Sequence, residues 1–529
     1  MRKILLFALI ICFFSSKSQN VDVLHYRFEL QLSDKNDTIK GLATITFVRK
    51  KHDRTVELNL YAIDKKGRGM RAFPENSAHS SSSVVFSQSG DNFQLFIGSI
   101  MEDTLSISVP YVGIPADGLI ISKNKYGDRT FFADNWPNRA HHWIPCVDKP
   151  DDKASFEFIV TAPSHYKVIS NGIKLAEKEV GNEMKLTHWR EDSPLSTKMM
   201  VIGVAKFATK TYDDSPKDIP ISAWAYPRDS AKWFYDYALT PGILKFFADY
   251  IGPFPYNKLA NVQSKTAFGG MENASAIFYN EDYVTGSRTY EDVMAHEIAH
   301  QWFGDMVSEK SFAHLWLSEG FADFFESLYT EKKYGEKAAR EKWIAARDEV
   351  IAFARQSNKA VVDSTEDLMS LLNANSYKKG AWVLRMLQNE VGDSVFKKII
   401  QTYYNQYKGS NAETRDFEAV AEKVSGKELT WFFDQWLYQP GIPKLNVTWD
   451  YNREDILFSP FGFEKKYKYQ LPLEILLIFK DGTTEKQLLK IEISEKAGTY
   501  VIPSKKKPSK ILLDPNAKLL FEGSISQHQ

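Results

Sequence analysis

The chain has 529 residues, 43% of them hydrophobic and 25% charged, with 67 Lys plus Arg against 67 Asp plus Glu. That length allows several domains with sizeable cores, and the composition excludes a disordered or fibrous protein. Zero formal net charge offers no long-range attraction to nucleic acid or an anionic membrane, so no nucleic-acid partner is expected.

Residues 1–18 read as a signal peptide: Arg2 and Lys3 precede an apolar run over 4–14, and Ser16 and Ser18 place small residues where cleavage before Gln19 requires them. The run is too short to span a bilayer. Cys12 has no small residues just before it, as lipid attachment would need, so export to the periplasm or the medium without a stable membrane anchor is expected. Cleavage leaves Cys146 as the single cysteine, and the mature chain therefore depends on packing rather than on an internal disulfide.

Residues 19–212 carry strand patterning. Tyr26, Phe28, Leu30 and Leu32 alternate with polar residues, as do Val56, Leu58 and Leu60, then Phe93, Leu95 and Ile97, then Leu105, Ile107, Val109 and Tyr111. Polar clusters at SDKND and the serine-rich 77–83 separate the runs. A large antiparallel β domain is expected.

The period changes in 213–440, where helical runs dominate over 233–250, 338–355, 380–390, 394–407 and 417–437. Within this part lies VMAHEIAHQWFG, residues 293–304. His296 and His300 are four apart, so a helix presents both imidazoles on one face at a spacing suited to two zinc bonds. Zinc with three protein ligands keeps a position for water, and Glu297 beside the pair is placed to take a proton from it, which makes this pattern a metallopeptidase signature. The third ligand is expected to be Glu319, which follows His300 with eighteen residues between them, in the apolar segment WLSEGFADFFE. Asp323 and Glu326 share a helical face with Glu319, and either can accept the second N–H of a zinc-bound imidazole.

Pro440, Gly441 and Pro443 end the helical part. Alternation returns over 441–529, with Leu473, Ile475 and Leu477, a turn at Asp481 and Gly482, then Leu489, Ile491 and Ile493, and this part reads as a β-sandwich domain.

HEIAH with its distant Glu319, preceded by GGMEN at 269–273 and followed by SYKKGAWVLRML from Ser376, resembles peptidase family M1, the gluzincin zinc aminopeptidases. The likeness runs from WIPCVDKPDDKASFEF to QWLYQPGIP with the motifs in family order. It implies a multidomain α+β protein: a saddle-like N-terminal β domain, a thermolysin-like catalytic domain with a small sheet edged by GGMEN, and one zinc ion per chain. The family's large C-terminal helical domain has no counterpart before the chain ends, which suits a shorter, bacterial-type member. By resemblance Tyr377 of the YxKG pattern is the oxyanion donor and Glu272 the anchor for the substrate's free α-amino group. Gly269 and Gly270 then admit the substrate backbone, Met271 lies near the first side chain, and Asn273 closes the motif. Many relatives place a second acid or amide ten residues before the Cys of the PCxD motif, where this chain has Trp136, so Asp134 is considered as a substitute. The expected activity is hydrolysis of the N-terminal bond of peptides that have a free N-terminus. An endopeptidase of thermolysin type and a catalytically inactive interaction scaffold are the alternatives. Cleavage of N-blocked substrates separates the first, and a zinc assay the second.

Overall fold

The computed structural model describes residues 20–49, 53–73, 85–97, 102–216, 219–461, 468–493 and 498–528; the expected signal peptide lies outside them. The first alternating run forms the strand Val21–Gln31, whose residues alternate between buried and open because one face of its sheet is covered. That sheet has seven strands in the order Ile173–Gly181, Met184–Leu195, Ala154–Pro163, Val21–Gln31, Ile39–Arg49, Thr104–Ile114, Gly69–Ala72. The expected antiparallel arrangement needs one correction. Val21–Gln31 runs parallel to Ala154–Pro163, with Tyr26 opposite Phe156, because the long connection between them frees the pair from hairpin geometry. A three-stranded and a four-stranded sheet complete this β-rich part. In its core the Phe158 ring stacks on Phe28 at 5.2 Å and on Trp143 at 5.8 Å.

The expected boundary after residue 212 falls inside a hairpin. Ala208–Tyr212 pairs antiparallel with Ile221–Ala225, and both belong to a five-stranded sheet that continues through Leu259–Ser264 and Ala276–Asn280 to the short edge strand Gly270–Met271. The three middle strands are parallel and the GGM edge is antiparallel, with Met271 opposite Phe278.

Helices pack beside this sheet: α1 (Ser230–Asp236), α2 (Thr240–Tyr250), α3 (Glu291–His300), α4 (Trp316–Tyr334), α5 (Glu336–Ala354), α6 (Gly380–Val391), α7 (Asp393–Tyr407) and α8 (Thr414–Ser425). Two expected helices are shorter than read. The run over 233–250 divides into α1 and α2, with Pro241 in the first turn of α2, where its missing N–H leaves no bond unmade. The run to 437 stops at Gly426, whose φ of 69° suits a glycine cap, and a short helix and a π turn follow. Between α3, α4, α7 and α8 lies an aromatic layer in which Phe303 meets Phe321 at 4.7 Å and Tyr403 meets Phe417 at 5.0 Å. Each such buried ring contributes about 1.5–3 kcal/mol.

After residue 440 the chain forms a four-stranded and a three-stranded sheet. They are fastened to the helices by Lys379, which donates to the Gly441 carbonyl at 2.8 Å, by Arg347 paired with Asp514 at 3.1 Å, and by Arg385 bonded to the Ala517 carbonyl at 2.7 Å. Among the described residues no helix is long and apolar enough to cross a membrane.

Candidate active site

Helix α3 begins with Glu291 and Asp292 in its first turn, where acidic side chains favour the helix dipole, and it buries Met294, Ala295, Ile298 and Ala299 against the core. Its remaining face carries His296, Glu297 and His300 to a cleft of about 400 Å³. Helix α4 crosses this face and presents Glu319. The His296 and His300 Nε2 atoms are 3.1 Å apart, and Glu319 Oε2 lies 3.4 Å from the first and 3.3 Å from the second.

These separations test the expected ion. A tetrahedral cation with bonds of about 2.0–2.2 Å sets its donors about 3.3–3.6 Å apart, and two imidazoles with one carboxylate are a familiar zinc set. Both carboxylate-to-imidazole separations match this range and the 3.1 Å between the imidazoles is just below it, a gap that a small ring rotation closes, so the three residues fit. Their outer atoms are held as well: His300 Nδ1 faces the Phe303 carbonyl at 3.0 Å and Ser318 Oγ at 3.1 Å, and His296 Nδ1 faces Asp323 at 3.1 Å and Glu326 at 3.4 Å. Such partners direct each Nε2 lone pair toward the common point. Asp323 in turn pairs with Lys378 at 3.0 Å, and Glu326 pairs with Lys342.

Buried charge dominates the site. Desolvation pushes the Glu297 carboxyl up to about 8, against the lowering influence of His296 and His300. For Glu319 desolvation also acts upward, but the charge of His300 and its bonds to both imidazoles hold it well below the usual range. His300 is drawn up to about 9, since Glu319 and Glu272 outweigh its burial. A divalent cation held by these groups would take over the positive role that protonated imidazoles otherwise fill and would favour ionised carboxylates around it.

The edge strand Gly270–Met271 passes beside α3. A Cβ on Gly270 would stand 2.2 Å from Glu297 Oε1, so only glycine lets the strand approach the carboxylate this closely. Glu272 follows, 6% exposed, and its carboxylate lies within 4.8 Å of donor atoms of Glu297 and His300. Gly269, Gly270, Met271 and Glu272 all line the cleft, as does Tyr377, whose ring lies nearly parallel to that of His296 with centroids 6.1 Å apart. Tyr377 stands in a π turn, Asn375–Lys379, just before α6. Burial raises its phenol well above the ordinary value and keeps it a proton-bearing donor.

Two expected site residues are not brought there. Asp134 is fully buried and its oxygens are committed elsewhere: Oδ1 accepts from Arg139 at 2.8 Å, and Oδ2 accepts from the Ala267 N–H at 3.1 Å and Thr266 Oγ1 at 3.2 Å. It braces the loop ahead of the edge strand instead of facing a substrate. Asn273 turns into the interior with no exposed surface and does not line the cleft. Trp136 itself lines the cleft and packs edge-on against Phe268, with centroids 5.9 Å apart. Sequence reading did not single out Tyr283 or Lys378 as cleft residues, and no local periodicity could have flagged them.

Residues 235–436 match the Peptidase family M1 domain and residues 23–199 match the Peptidase M1 N-terminal domain. Among curated proteins, a probable aminopeptidase 2 of Sulfurisphaera tokodaii is 30% identical over 355 residues, covering 64% of this chain and 45% of the relative. Glutamyl aminopeptidase of Bos taurus is 30% identical over 330 residues, covering 59% of this chain and 34% of the relative. Aminopeptidase A of Gloydius brevicauda is 29% identical over 428 residues, covering 74% of this chain and 42% of the relative. The chain thus spans less than half the length of each of these proteins. Because the two domain matches flank and include the cleft and together take in most of the sequence, the chain belongs to peptidase family M1.

Proposed function

We propose that the chain is an exported zinc aminopeptidase that hydrolyses the first bond of peptides with a free N-terminus. In this reading it has a saddle-like N-terminal domain, a thermolysin-like catalytic domain and a C-terminal β-sandwich. The proximity of Glu272 to Glu297 and His300 carries the reading, because it puts an amine anchor at a fixed short distance from the candidate metal donors. His296, His300 and Glu319 would hold one zinc ion, which supplies Lewis acidity to the attacking water and to the scissile carbonyl.

The protein groups divide the remaining work. Glu272 binds the substrate ammonium by a charge-assisted hydrogen bond and so lets only the first peptide bond lie over the donor set. Glu297 takes the proton from the attacking water and delivers it to the leaving amine. The Tyr377 hydroxyl donates to the carbonyl oxygen as negative charge builds there. Trp136 and Phe268 wall one part of the cleft with apolar surface.

A panel of aminoacyl reporter amides, free and N-acetylated, tests this reading. The acetylated substrates are expected to be cut at least ~100-fold less efficiently, since a charge-assisted contact contributes up to about 3 kcal/mol. Glu272→Ala should shrink that ratio by weakening only the free-amine substrates. Equal cleavage of both forms by the unmodified enzyme would replace this reading with an endopeptidase.

A further inference from the structure

The position of Glu272 relative to the metal donors has a specific structural origin. Glu272 stands at the end of a two-residue edge strand, and the turn that follows includes Ser275, a non-glycine residue at φ 61°. A short edge strand of this kind keeps its place only through contacts beyond its own ladder. Gln301, the residue directly after His300, is fully buried, and its amide is used at both ends. Its Nε2 donates to the Glu272 carbonyl at 2.6 Å and to Asp305 Oδ2 at 2.9 Å, while its Oε1 accepts the Ser275 N–H at 2.7 Å. One planar side chain thus spans the segment 272–275 and joins it to the helix that carries two of the three metal donors. The opposite side of the same segment is held from the N-terminal β part. There Asn171 donates to the Ala274 carbonyl at 2.6 Å, and the Gly172 N–H donates to Ser275 Oγ at 2.8 Å.

Resting on the aminopeptidase reading, we infer that Gln301 is the positioning residue that sets the distance between the amine anchor and the metal, with Asn171 bracing the same turn from the other side. Gln301 touches neither substrate nor ion in this arrangement. It acts through the main chain of Glu272, so its loss should be felt by the free ammonium and not by zinc binding. Displacement of a reacting group by about 1 Å costs on the order of 10²-fold in rate, and the Gln301 bond is the one of these contacts that holds the Glu272 carbonyl itself.

The test compares Gln301→Met, which keeps the length of the side chain and removes its hydrogen bonds, with the unmodified enzyme. Zinc content and kcat/KM are measured on one aminoacyl reporter amide in free and N-acetylated form. One zinc per chain should remain. The free substrate should lose ~10–10²-fold, mostly as a rise in KM, while the residual cleavage of the acetylated form stays level, so that the ratio between them contracts. Gln301→Asn, which keeps an amide donor and acceptor on a side chain one methylene shorter, should return part of the ratio, and it replaces Gln301→Met should that variant not fold. A ratio that is unchanged in the variants while both substrates decline together would make Gln301 a stability residue and overturn the inference alone. A ratio near one in the unmodified enzyme would overturn the aminopeptidase reading and this inference with it.

Discussion

At the scale of single residues, the proposed mechanism separates groups that would hold the metal from groups that would move charge. Replacing His296, His300 or Glu319 by Ala should remove zinc and activity together. Glu297→Gln should keep zinc and lose turnover, because in the proposed reading the ion rests on the set His296, His300 and Glu319 and the Glu297 carboxylate serves the water. Metal analysis on the purified variants distinguishes the two classes, and loss of zinc from Glu297→Gln as complete as from His296→Ala would make Glu297 a ligand. Tyr377→Phe is expected to lower kcat by ~10²–10³ with little change in KM, the size associated with one oxyanion donor. A rise in KM with kcat untouched would show that the hydroxyl serves binding.

At the scale of elements, the decisive contact is the crossing of α4 and α6. A Cβ on Gly320 would lie 2.8 Å from Gly380 Cα, and one on Gly380 would lie 3.0 Å from Gly320 Cα, so the helices meet backbone to backbone. This close approach brings the π turn that precedes α6, with Tyr377 and Lys378, over the histidine face of α3. A methyl group there forces the helices apart. Gly320→Ala should therefore destabilise the fold by about 1–3 kcal/mol, the usual penalty for overpacking. It should also lower kcat at full zinc occupancy, because Glu319 stays on α4 while Tyr377 recedes. Thermal unfolding with metal analysis checks this, and unaltered stability would mean that the contact relaxes without strain.

At the scale of the molecule, a bound ion would fasten α3 to α4 through the buried His300 and Glu319 and the half-buried His296. Ligand binding to the native state alone adds stability by mass action, about 2.7 kcal/mol at a free concentration one hundred times Kd. Chelation should therefore lower the unfolding temperature measured by calorimetry. Zinc should restore both the temperature and the activity, whereas magnesium, which prefers an all-oxygen shell, should restore neither. An unfolding temperature indifferent to chelator would show that the donors are held by the protein packing alone.

Much of this could be read from the chain because it is local. The four-residue spacing of His296 and His300 dictates a shared helix face whatever surrounds it, and alternation over 26–32 and 105–111 dictates strands. The segment after His300 also showed its helical period, so Glu319 and its neighbours Asp323 and Glu326 were legible as one face. Tertiary structure alone decided which groups pair across distance. Asp134 stands close in sequence to the position where relatives carry an anchor, but burial obliges its carboxylate to find partners, and Arg139, Thr266 and Ala267 are nearer than any cleft. Asn273 is turned inward by the same turn that exposes Glu272 to the donor set. The parallel pairing of Val21–Gln31 with Ala154–Pro163, and the membership of Ala208–Tyr212 in the catalytic sheet, depend on which edges meet after long connections. Periodicity specifies which face of an element is apolar; the partner for that face is selected by packing among residues far apart in the sequence.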